Sequence, residues 1–349
     1  MIELSATGIR LSFDLQLGLI ESFSVYDGDA EISPLHRAPW VGTDEVMPEG
    51  IAPHLEKLGG DFFCAPFGST EGTSPLHGWP ANSRWRLEEK TDSYLRAELD
   101  RTVYGARLQK EITLHPEHPF VYQRHTFIGG DGTMPVANHA NVSLPNGGII
   151  HTSRKQCWRT PKVEQEVDPA LGYSALRYPA ESQTLASFPG KDREVNLSNY
   201  PWSPQSEDFV VGLDSPEEKL GWTAVTRPVE GDMFLSLKSA QALPMTMLWH
   251  SNGGRYYAPW SSRHFSCLGV EEGAASPILG NVKNSFPNDH GVIHLNPDRQ
   301  VEVTHVIGAL RWRSGARVIA VETLGNQLLI RGTENQEILV PFDPQALNI

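Results

Sequence analysis

The chain has 349 residues, with 29 Lys and Arg against 42 Asp and Glu, and a formal net charge of −13 at pH 7. This acidic balance repels phosphate backbones and anionic membranes, so it argues against nucleic-acid and membrane partners. Hydrophobic residues make up 39% and charged residues 20%, a globular mixture that excludes a disordered or fibrous chain. Nine Trp and thirteen His residues supply stacking and acid–base groups suited to a sugar-sized ligand.

The cysteines and the N-terminus indicate the compartment. Cys64, Cys157 and Cys267 are widely spaced and form no C-x-x-C pair, so neither a disulfide framework nor a thiolate zinc site is expected. The first residues contain Glu3 and no basic head before an apolar run, and no stretch approaches the roughly 20 apolar residues of a membrane span. We therefore expect a cytoplasmic protein.

Short runs in which apolar and polar residues alternate recur along the chain. Because these runs are rich in β-branched and aromatic residues and are bounded by turn residues, they predict antiparallel strands. Two short helices are also expected, within 160–179 and over 216–220, the latter with Ser215 as N-cap and Pro216 at the first helical position. The predicted strands are 9–13, 22–26, 94–99, 108–114, 120–127, 224–225, 233–237, 245–249, 265–270, 301–307, 317–322, 327–331 and 337–340.

These elements predict an all-β fold, a large antiparallel β-sandwich or barrel with few short helices. The polar, proline-punctuated stretch from about 157 to 204 is either a linker or a long loop region on one face of a single sandwich. Candidate functional segments on both sides of it favour one domain over residues 1–349. Residues after about 308 then form a C-terminal extension, which either adds strands to a sheet edge or mediates pairing between chains.

The first candidate segment, 59–85, is rich in glycine and proline and presents Asp61, His77, Trp79, Asn82 and Arg84. Aromatic, imidazole, amide and guanidinium groups on one shaped loop suit a sugar, whose C–H faces stack while its hydroxyls need donors and acceptors. The alternative is that His77 and Trp79 only buttress a turn.

The second candidate segment, 136–148, places His139 between Asn138 and Asn141. An imidazole with a pKa near 6.5 is a suitable general acid at neutral pH. Most single histidines are structural, so a structural role for His139 is the alternative.

The third candidate segment, 248–273, contains an apolar strand that ends in Glu271 and Glu272. Neighbouring strand residues point to opposite faces, so only one of the two enters a pocket, and the sequence does not decide which. Arg255 and Trp260 lie on the preceding loop. There Arg255 is expected to hydrogen-bond sugar hydroxyls and Trp260 to stack on the sugar ring; the alternative is an ordinary surface turn. A solvated position is the alternative for both glutamates.

Three short motifs follow one another in these segments: H-G-aromatic with N-S-x-W, then N-H-x-x-x-x-L, then a strand ending in Glu. They are His77-Gly78-Trp79 with Asn82-Ser83-Arg84-Trp85, then Asn138, His139 and Leu144, then Cys267-Leu268-Gly269-Val270-Glu271. In this order the chain resembles the aldose 1-epimerase (galactose mutarotase) superfamily, near its hexose-6-phosphate-mutarotase-like and uncharacterised bacterial branches. The resemblance covers about residues 5 to 310 and implies the galactose mutarotase-like supersandwich.

The resemblance also implies a reaction. Glu271 would remove the proton of the anomeric hydroxyl, His139 would protonate the ring oxygen, and His77 would hydrogen-bond the sugar near the same carbon. Asp61, Trp79, Asn82, Arg84, Asn138, Arg255 and Trp260 are the expected substrate contacts. No cofactor or metal is expected, and the expected partner is a monosaccharide or sugar derivative bound by a monomer or homodimer.

One departure from the pattern bears on the substrate. The phosphate-sugar branch carries an arginine before the paired glycines and a basic residue after the H-G-aromatic step, whereas this chain has Leu58 and the pair Pro80-Ala81. Lys57 and Arg84 are partial replacements at most. Because a phosphate would lack bidentate partners and would be repelled by Asp61, we expect an unphosphorylated sugar.

Two alternatives remain at this stage. The first is a metal site, because its spacing requirements are met by His290 and His294, with Asp289 beside them, or by His115 and His118. Against it, these histidines are equally typical of solvated turns. The other alternative is a non-catalytic carbohydrate-binding protein with the same sandwich.

Overall fold

The computed structural model describes residues 1–68, 74–280, 291–313 and 315–349. Every predicted strand lies within or overlaps an observed one, which confirms the all-β prediction. The strands of the first half are β1 (Ile2–Ala6), β2 (Ile9–Asp14), β3 (Leu19–Asp27), β4 (Ala30–Ile32), β5 (Asp61–Cys64), β6 (Trp85–Lys90), β7 (Tyr94–Leu99), β8 (Arg107–Leu114), β9 (Phe120–Ile128), β10 (Gly132–Met134), β11 (Val136–Ser143), β12 (Gly148–Thr152) and β13 (Lys155–Arg159). Those of the second half are β14 (Glu181–Ser182), β15 (Phe188–Pro189), β16 (Glu194–Val195), β17 (Asn199–Tyr200), β18 (Ser206–Asp214), β19 (Leu220–Arg227), β20 (Asp232–Ser239), β21 (Met245–Asn252), β22 (Cys267–Ala274), β23 (Ile293–Leu295), β24 (Gln300–Arg311), β25 (Val318–Leu324), β26 (Gln327–Gly332) and β27 (Glu337–Pro341).

Two large antiparallel sheets form the sandwich. The first has eleven strands in the order β1-β2-β3-β5-β11-β22-β21-β18-β13-β14, with β4 paired to β3. The second has nine strands in the order β17-β12-β19-β20-β24-β9-β8-β7-β6. Strands β5, β11 and β22, which are far apart in sequence, are therefore neighbours at the centre of the first sheet.

The central strands of the first sheet are buried on both faces. Every residue of β18, β21 and β22 is buried. One face packs on the second sheet through a core that includes Phe23, Phe234 and Ile307. The other face is covered by loops whose apolar side chains, among them Trp40 and Trp260, form a second cluster. The outer face and its covering loops are therefore the two layers that line any cavity on this side of the sheet.

The helical predictions were wrong. Among the described residues the α-helix is α1 (Pro53–Glu56), and 3-10 turns cover Trp79–Ala81, Ser276–Leu279 and Pro344–Leu347. Residues 160–179 form loops and turns, and 216–220 is a turn that leads into β19. None of these helices is long or apolar enough to cross a membrane.

The region 157–204 contributes strands to both large sheets, since β13 and β14 lie in the first and β17 in the second. Its loops are fastened by distant side chains: the backbone N–H groups of Ala175 and Leu176 donate to the Asp208 carboxylate, each at 3.1 Å. The tertiary contacts satisfy backbone groups that a helix would otherwise satisfy internally, which explains the missing helix.

The three strands predicted after residue 308 exist as β25–β27, in a separate three-stranded sheet that extends neither large sheet. Its core joins Trp312 and Phe342 to side chains of the second sheet. The rings of Phe120 and Phe342 meet edge to face at 5.4 Å, and the Asp343 N–H donates to the Tyr122 hydroxyl at 3.1 Å. This segment therefore covers the outer face of the second sheet.

Candidate functional site

A cavity of about 230 Å³ lies between the outer face of the first sheet and its covering loops. Strands β5, β11, β21 and β22 form its floor, and residues from α1 and from the loops form its walls. Its lining includes His54, Leu58, Phe62, Phe67, His77, His139, Gln165, Phe209, Trp249, Arg255, Trp260 and Glu271.

His139 and Glu271 meet at the floor of the cavity. They lie directly opposite each other in the register of β11 and β22, and His139 Nε2 is 3.1 Å from Glu271 Oε1. Within the described structure, His139 Nδ1 and Glu271 Oε2 have no hydrogen-bond partner. The pair thus leaves one buried polar atom on each side chain without a partner in the described structure.

Burial determines the protonation of this pair. It raises the pKa of Glu271 well above its usual range, and burial, followed by the neighbouring His54, lowers the pKa of His139 to about 3. Burial therefore favours the neutral form of both groups, in which the Glu271 carboxyl group donates to His139 Nε2. The pair holds one exchangeable proton within a single hydrogen bond.

His77 reaches the cavity on a strained loop. Its φ is 65°, in the left-handed region, and that of Gly78 is 74°, where a Cβ would lie 2.1 Å from the Ala65 carbonyl oxygen. The Gly68 N–H donates to His77 Nδ1 at 3.4 Å, and burial lowers the pKa of His77 well below its usual range. The neutral ring consequently carries its proton on Nε2 and is a hydrogen-bond donor there.

The histidines form an aromatic cluster with the cavity floor. The His77 ring meets that of His54 at 5.2 Å and that of His139 at 5.5 Å, both edge to face. Phe62 stacks on His139 at a centroid distance of 4.5 Å. This packing limits the rotation of His139 and keeps its Nε2 directed at Glu271.

The opposite wall combines two indoles and one guanidinium. Arg255 lies 4.5 Å over the Trp260 ring and 5.9 Å from that of Trp249, and its Nε is 3.3 Å from Glu166 and 3.6 Å from Glu207. Two carboxylates therefore oppose the charge of Arg255. The wall offers apolar ring faces next to N–H donors, an arrangement that suits the C–H faces and hydroxyls of a sugar.

No protein-family model and no curated protein matches the sequence, whereas solved structures match the fold. A candidate aldose 1-epimerase from Escherichia coli K12 has a TM-score of 0.60 at 15% identity, over 88% of this chain and 98% of that one. A galactose mutarotase-like protein from Lactobacillus casei has a TM-score of 0.52 at 11% identity, over 89% and 100%. A galactose mutarotase related enzyme from Lactobacillus acidophilus has a TM-score of 0.51 at 12% identity, over 89% and 98%.

The chain has the galactose mutarotase-like fold. This confirms the fold expected from the motifs. At these identities the likeness concerns the fold, so the roles of individual residues in this mutarotase-like sandwich rest on the geometry of the site.

Strand alternation separates several expected contacts from the cavity. Asp61 precedes Phe62 in β5, and Asn138 precedes His139 in β11. Both therefore point to the second sheet, and neither lines the cavity. The Asp61 carboxylate accepts a hydrogen bond from Gln123 Nε2 at 2.6 Å. Their placement follows from the period of two, which sends adjacent side chains to opposite faces.

The same alternation distinguishes Glu271 from Glu272. Glu272 faces the second sheet, where Lys238 Nζ lies 2.6 Å from its Oε2 and Thr223 donates to its Oε1 at 2.7 Å. The neighbouring Lys238 and Lys155 charges overcome the effect of burial and lower the pKa of Glu272 to about 2. Glu271 is thus the glutamate that lines the cavity.

Asn82, Trp79 and Arg84 also lie outside the cavity lining. The Asn82 amide donates to the carbonyls of Leu76 at 2.8 Å and Gly78 at 2.6 Å, and its oxygen is 2.9 Å from His54 Nδ1. It therefore fastens the His77 loop to His54. Trp79 packs under the Arg101 guanidinium at 4.3 Å.

The cations considered as phosphate partners are engaged elsewhere. The Arg84 side chain is 68% exposed, and its Nε lies 4.0 Å from Asp100 Oδ2. Lys57 Nζ pairs with Asp14 Oδ2 at 2.6 Å. Neither lines the cavity. Of the predicted site residues, the structure thus brings together Glu271, His139, His77, Arg255 and Trp260.

Sequence reasoning missed His54, Phe62, Gln165 and Trp249. Phe62 and Trp249 carry a local signal, since each lies on the outward-facing register of a central strand. His54 is brought in by α1 and Gln165 by a loop, and no spacing in the sequence relates them to His139. Of the histidines considered for a metal, His290 lies outside the described residues, His294 is exposed on β23, and His118 Nδ1 is 2.8 Å from the Tyr122 hydroxyl.

Proposed function

We propose that this protein is an aldose 1-epimerase-like mutarotase that interconverts the α and β anomers of an unphosphorylated sugar. The observation that carries this proposal is the in-register contact of His139 and Glu271 at the floor of a cavity. Anomer exchange requires proton removal and proton delivery at two oxygens bonded to one carbon, and this pair supplies one group for each.

The proton count of the pair fits the reaction. Transfer of the Glu271 proton to His139 within their hydrogen bond gives a carboxylate and an imidazolium. Glu271 then takes the proton of the anomeric hydroxyl, His139 delivers its proton to the ring oxygen, and the bond between C1 and the ring oxygen breaks. The pair is back in its neutral form, and an open-chain aldehyde has formed.

Ring closure reverses these transfers. Rotation about the C1–C2 bond presents the other carbonyl face, Glu271 returns a proton to the carbonyl oxygen, and His139 accepts the proton of the attacking hydroxyl. We assign hydrogen bonding of a sugar oxygen to His77 Nε2. Stacking on the ring falls to Trp249 and Trp260.

The electrostatics of the cavity support an unphosphorylated substrate. Of the described lining residues Arg255 carries the positive charge, and Glu166 and Glu207 oppose it. A phosphate would therefore compete with Glu166, and with Glu207 where it is ionised, for one guanidinium, whereas neutral hydroxyls accept from its N–H groups without such competition.

The test is the relaxation of freshly dissolved pure anomers, followed by polarimetry or NMR exchange across a panel of free aldoses. The wild-type protein should accelerate relaxation, and Glu271→Gln and His139→Asn should abolish the acceleration. A carbohydrate-binding protein of the same fold would bind sugar in all three forms and accelerate none. Absence of acceleration by the wild type across the panel would refute the enzymatic proposal for those sugars.

We further propose that residues 1–349 form one mutarotase-like domain with a C-terminal extension, in a cytoplasmic monomer or homodimer. Cooperative unfolding in a single transition, cell fractionation and analytical ultracentrifugation test these three statements.

A further inference from the structure

Three potential metal ligands, His36, His264 and Cys267, lie together in the wall next to the cavity. Their ligand atoms are all within 4.8 Å of one another, and all three residues are buried. His36 Nε2 and His264 Nε2 lie 3.1 Å apart. The mechanism proposed above uses none of these side chains.

A chain of hydrogen bonds orients His264. The Ser251 hydroxyl donates to Glu207 Oε2 at 2.9 Å, and the Trp249 N–H donates to Glu207 Oε1 at 2.5 Å. Because the Ser251 proton is used in this way, its oxygen accepts from His264 Nδ1, which lies 2.7 Å away. The lone pair of His264 is therefore on Nε2 and points at His36. A metal-ligating histidine usually donates its other ring N–H to an acceptor, and the Ser251 hydroxyl, held by Glu207, is that acceptor for His264.

The spacing of the two imidazoles fits a common ion. With metal–nitrogen bonds of about 2.0–2.1 Å, two nitrogens 3.1 Å apart subtend roughly 100° at the metal, close to the tetrahedral angle.

Cys267 supplies a soft third ligand. It lies at the start of β22, on the same face as Glu271, and its thiol is 3.8 Å from Asn141 Oδ1. The Asn141 amide donates to the Gly59 and Gly60 carbonyls, each at 3.2 Å, so its oxygen faces the thiol as an acceptor. A metal ion replaces the thiol proton, and binding therefore releases a proton.

We propose that His36, His264 and Cys267 form a binding site for one transition-metal ion that accepts two imidazoles and a thiolate, with Zn²⁺ as the ion to test. The site is structural. His36 precedes the segment that contains Trp40 and Leu58, His264 follows the loop of Arg255 and Trp260, and β22 carries Glu271. One ion joins these three parts of the cavity wall.

Contacts around His264 show how the ion would act on the wall. The Trp260 ring meets His264 edge to face at 5.1 Å, and the Trp249 ring lies nearly parallel to it at 5.8 Å. Fixing His264 restricts both indoles, which face the cavity. The ion binds the native state and not the unfolded chain, so it raises thermal stability in proportion to its affinity.

The experiment begins with full-length protein treated with a chelator and then dialysed against Zn²⁺ or Co²⁺. Elemental analysis is expected to give one ion per chain, the Co²⁺ form should show thiolate-to-metal charge transfer in the near ultraviolet, and the melting temperature should rise on loading. These readouts need no enzymatic activity, so failure of the mutarotase proposal leaves them unchanged.

Cys267→Ala tests the ligand, and Cys157→Ala is the matched control. Both cysteines are buried in the same apolar cluster on the outer face of the first sheet. Cys157→Ala should bind as the wild type does, whereas Cys267→Ala should bind at least tenfold more weakly and lose the charge-transfer band. His36→Gln, which keeps a polar side chain, should also weaken binding at least tenfold.

Three results overturn the proposal. The first is absence of binding by the wild type at micromolar Zn²⁺. The second is equal binding by Cys267→Ala and the wild type. The third is a bound ion that is lost in His294→Ala and retained in Cys267→Ala, which would locate the metal elsewhere in the chain.

Discussion

Glu271 and Glu272 are adjacent in sequence but lie on opposite faces of β22, in completely different environments. Replacing each in turn therefore tests the roles assigned to the two faces. Glu271 is a buried carboxyl group in the cavity whose pKa is raised, and Glu272 is an ionised carboxylate 2.6 Å from Lys238 between the sheets. Replacing each by Gln keeps the side-chain size and removes the ability to ionise. We expect Glu271→Gln to lose activity without losing stability, and Glu272→Gln to lose stability and keep activity.

The magnitudes follow from the contacts. Loss of one general acid–base group costs about 10²- to 10⁴-fold in rate, or about 3–5 kcal/mol in the activation barrier at 1.36 kcal/mol per tenfold. Removing one partner of a buried ion pair destabilises a protein by about 3–5 kcal/mol. For Glu272→Gln we expect the lower end, about 3 kcal/mol, because Lys238 retains Asp214 Oδ2 at 2.9 Å.

The dependence of stability on pH separates the two variants further. The pKa of Glu272 is lowered to about 2 from 4.5, so its contribution is fully present above pH 4.5 and is lost as the pH falls toward 2. The pKa of Glu271 is raised, so its native state binds more protons than the unfolded chain above pH 4.5. Its contribution therefore declines as the pH rises, and the stability of Glu271→Gln relative to wild type should increase over the same range.

The assays are urea unfolding between pH 3 and 8 and anomer relaxation by polarimetry at neutral pH. Glu272→Gln should retain at least a tenth of wild-type activity under conditions in which it is folded. Equal losses of activity in both variants, without a difference in stability, would contradict the assignment of the two faces of β22.

Further predictions concern the surroundings of the pair and the substrate. In Gly269→Ala the new Cβ would lie 3.0 Å from Glu271 Oε1 and 3.0 Å from Trp249 Cβ, so polarimetry should show at least a tenfold lower kcat with an unchanged circular dichroism spectrum. Asn82→Ala leaves the Leu76 and Gly78 carbonyls without their donor and should lower the free energy of unfolding by about 2 kcal/mol. Its exposed neighbour Arg84 is the control, since Arg84→Ala should change that free energy by less than about 0.5 kcal/mol. Calorimetric titration with matched free hexose and hexose 6-phosphate should give no tighter binding of the phosphate, and a clear preference for it would exclude the proposed substrate class.

Local patterns in the chain were sufficient for the all-β class and for the approximate strand positions, because alternation and turn residues act over a few neighbours. They were not sufficient to exclude the two helices that the sequence predicted and that the structure lacks. Pro216 suits a β-turn as well as a first helical turn, and Leu220 belongs to β19. In 160–179 the backbone is satisfied by Asp208 and other partners distant in sequence, which no local pattern records.

The candidate site divides in the same way. The nature of its acid–base groups and the presence of one outward and one inward glutamate were readable from residue types and strand alternation. The direct opposition of His139 and Glu271 follows from the register between two strands that are more than 120 residues apart in sequence. The cavity walls depend on α1 and on a loop, which bring His54 and Gln165 to that floor. Long-range pairing and loop packing are tertiary events, so the geometry that supports a function appeared only when the sheets were assembled.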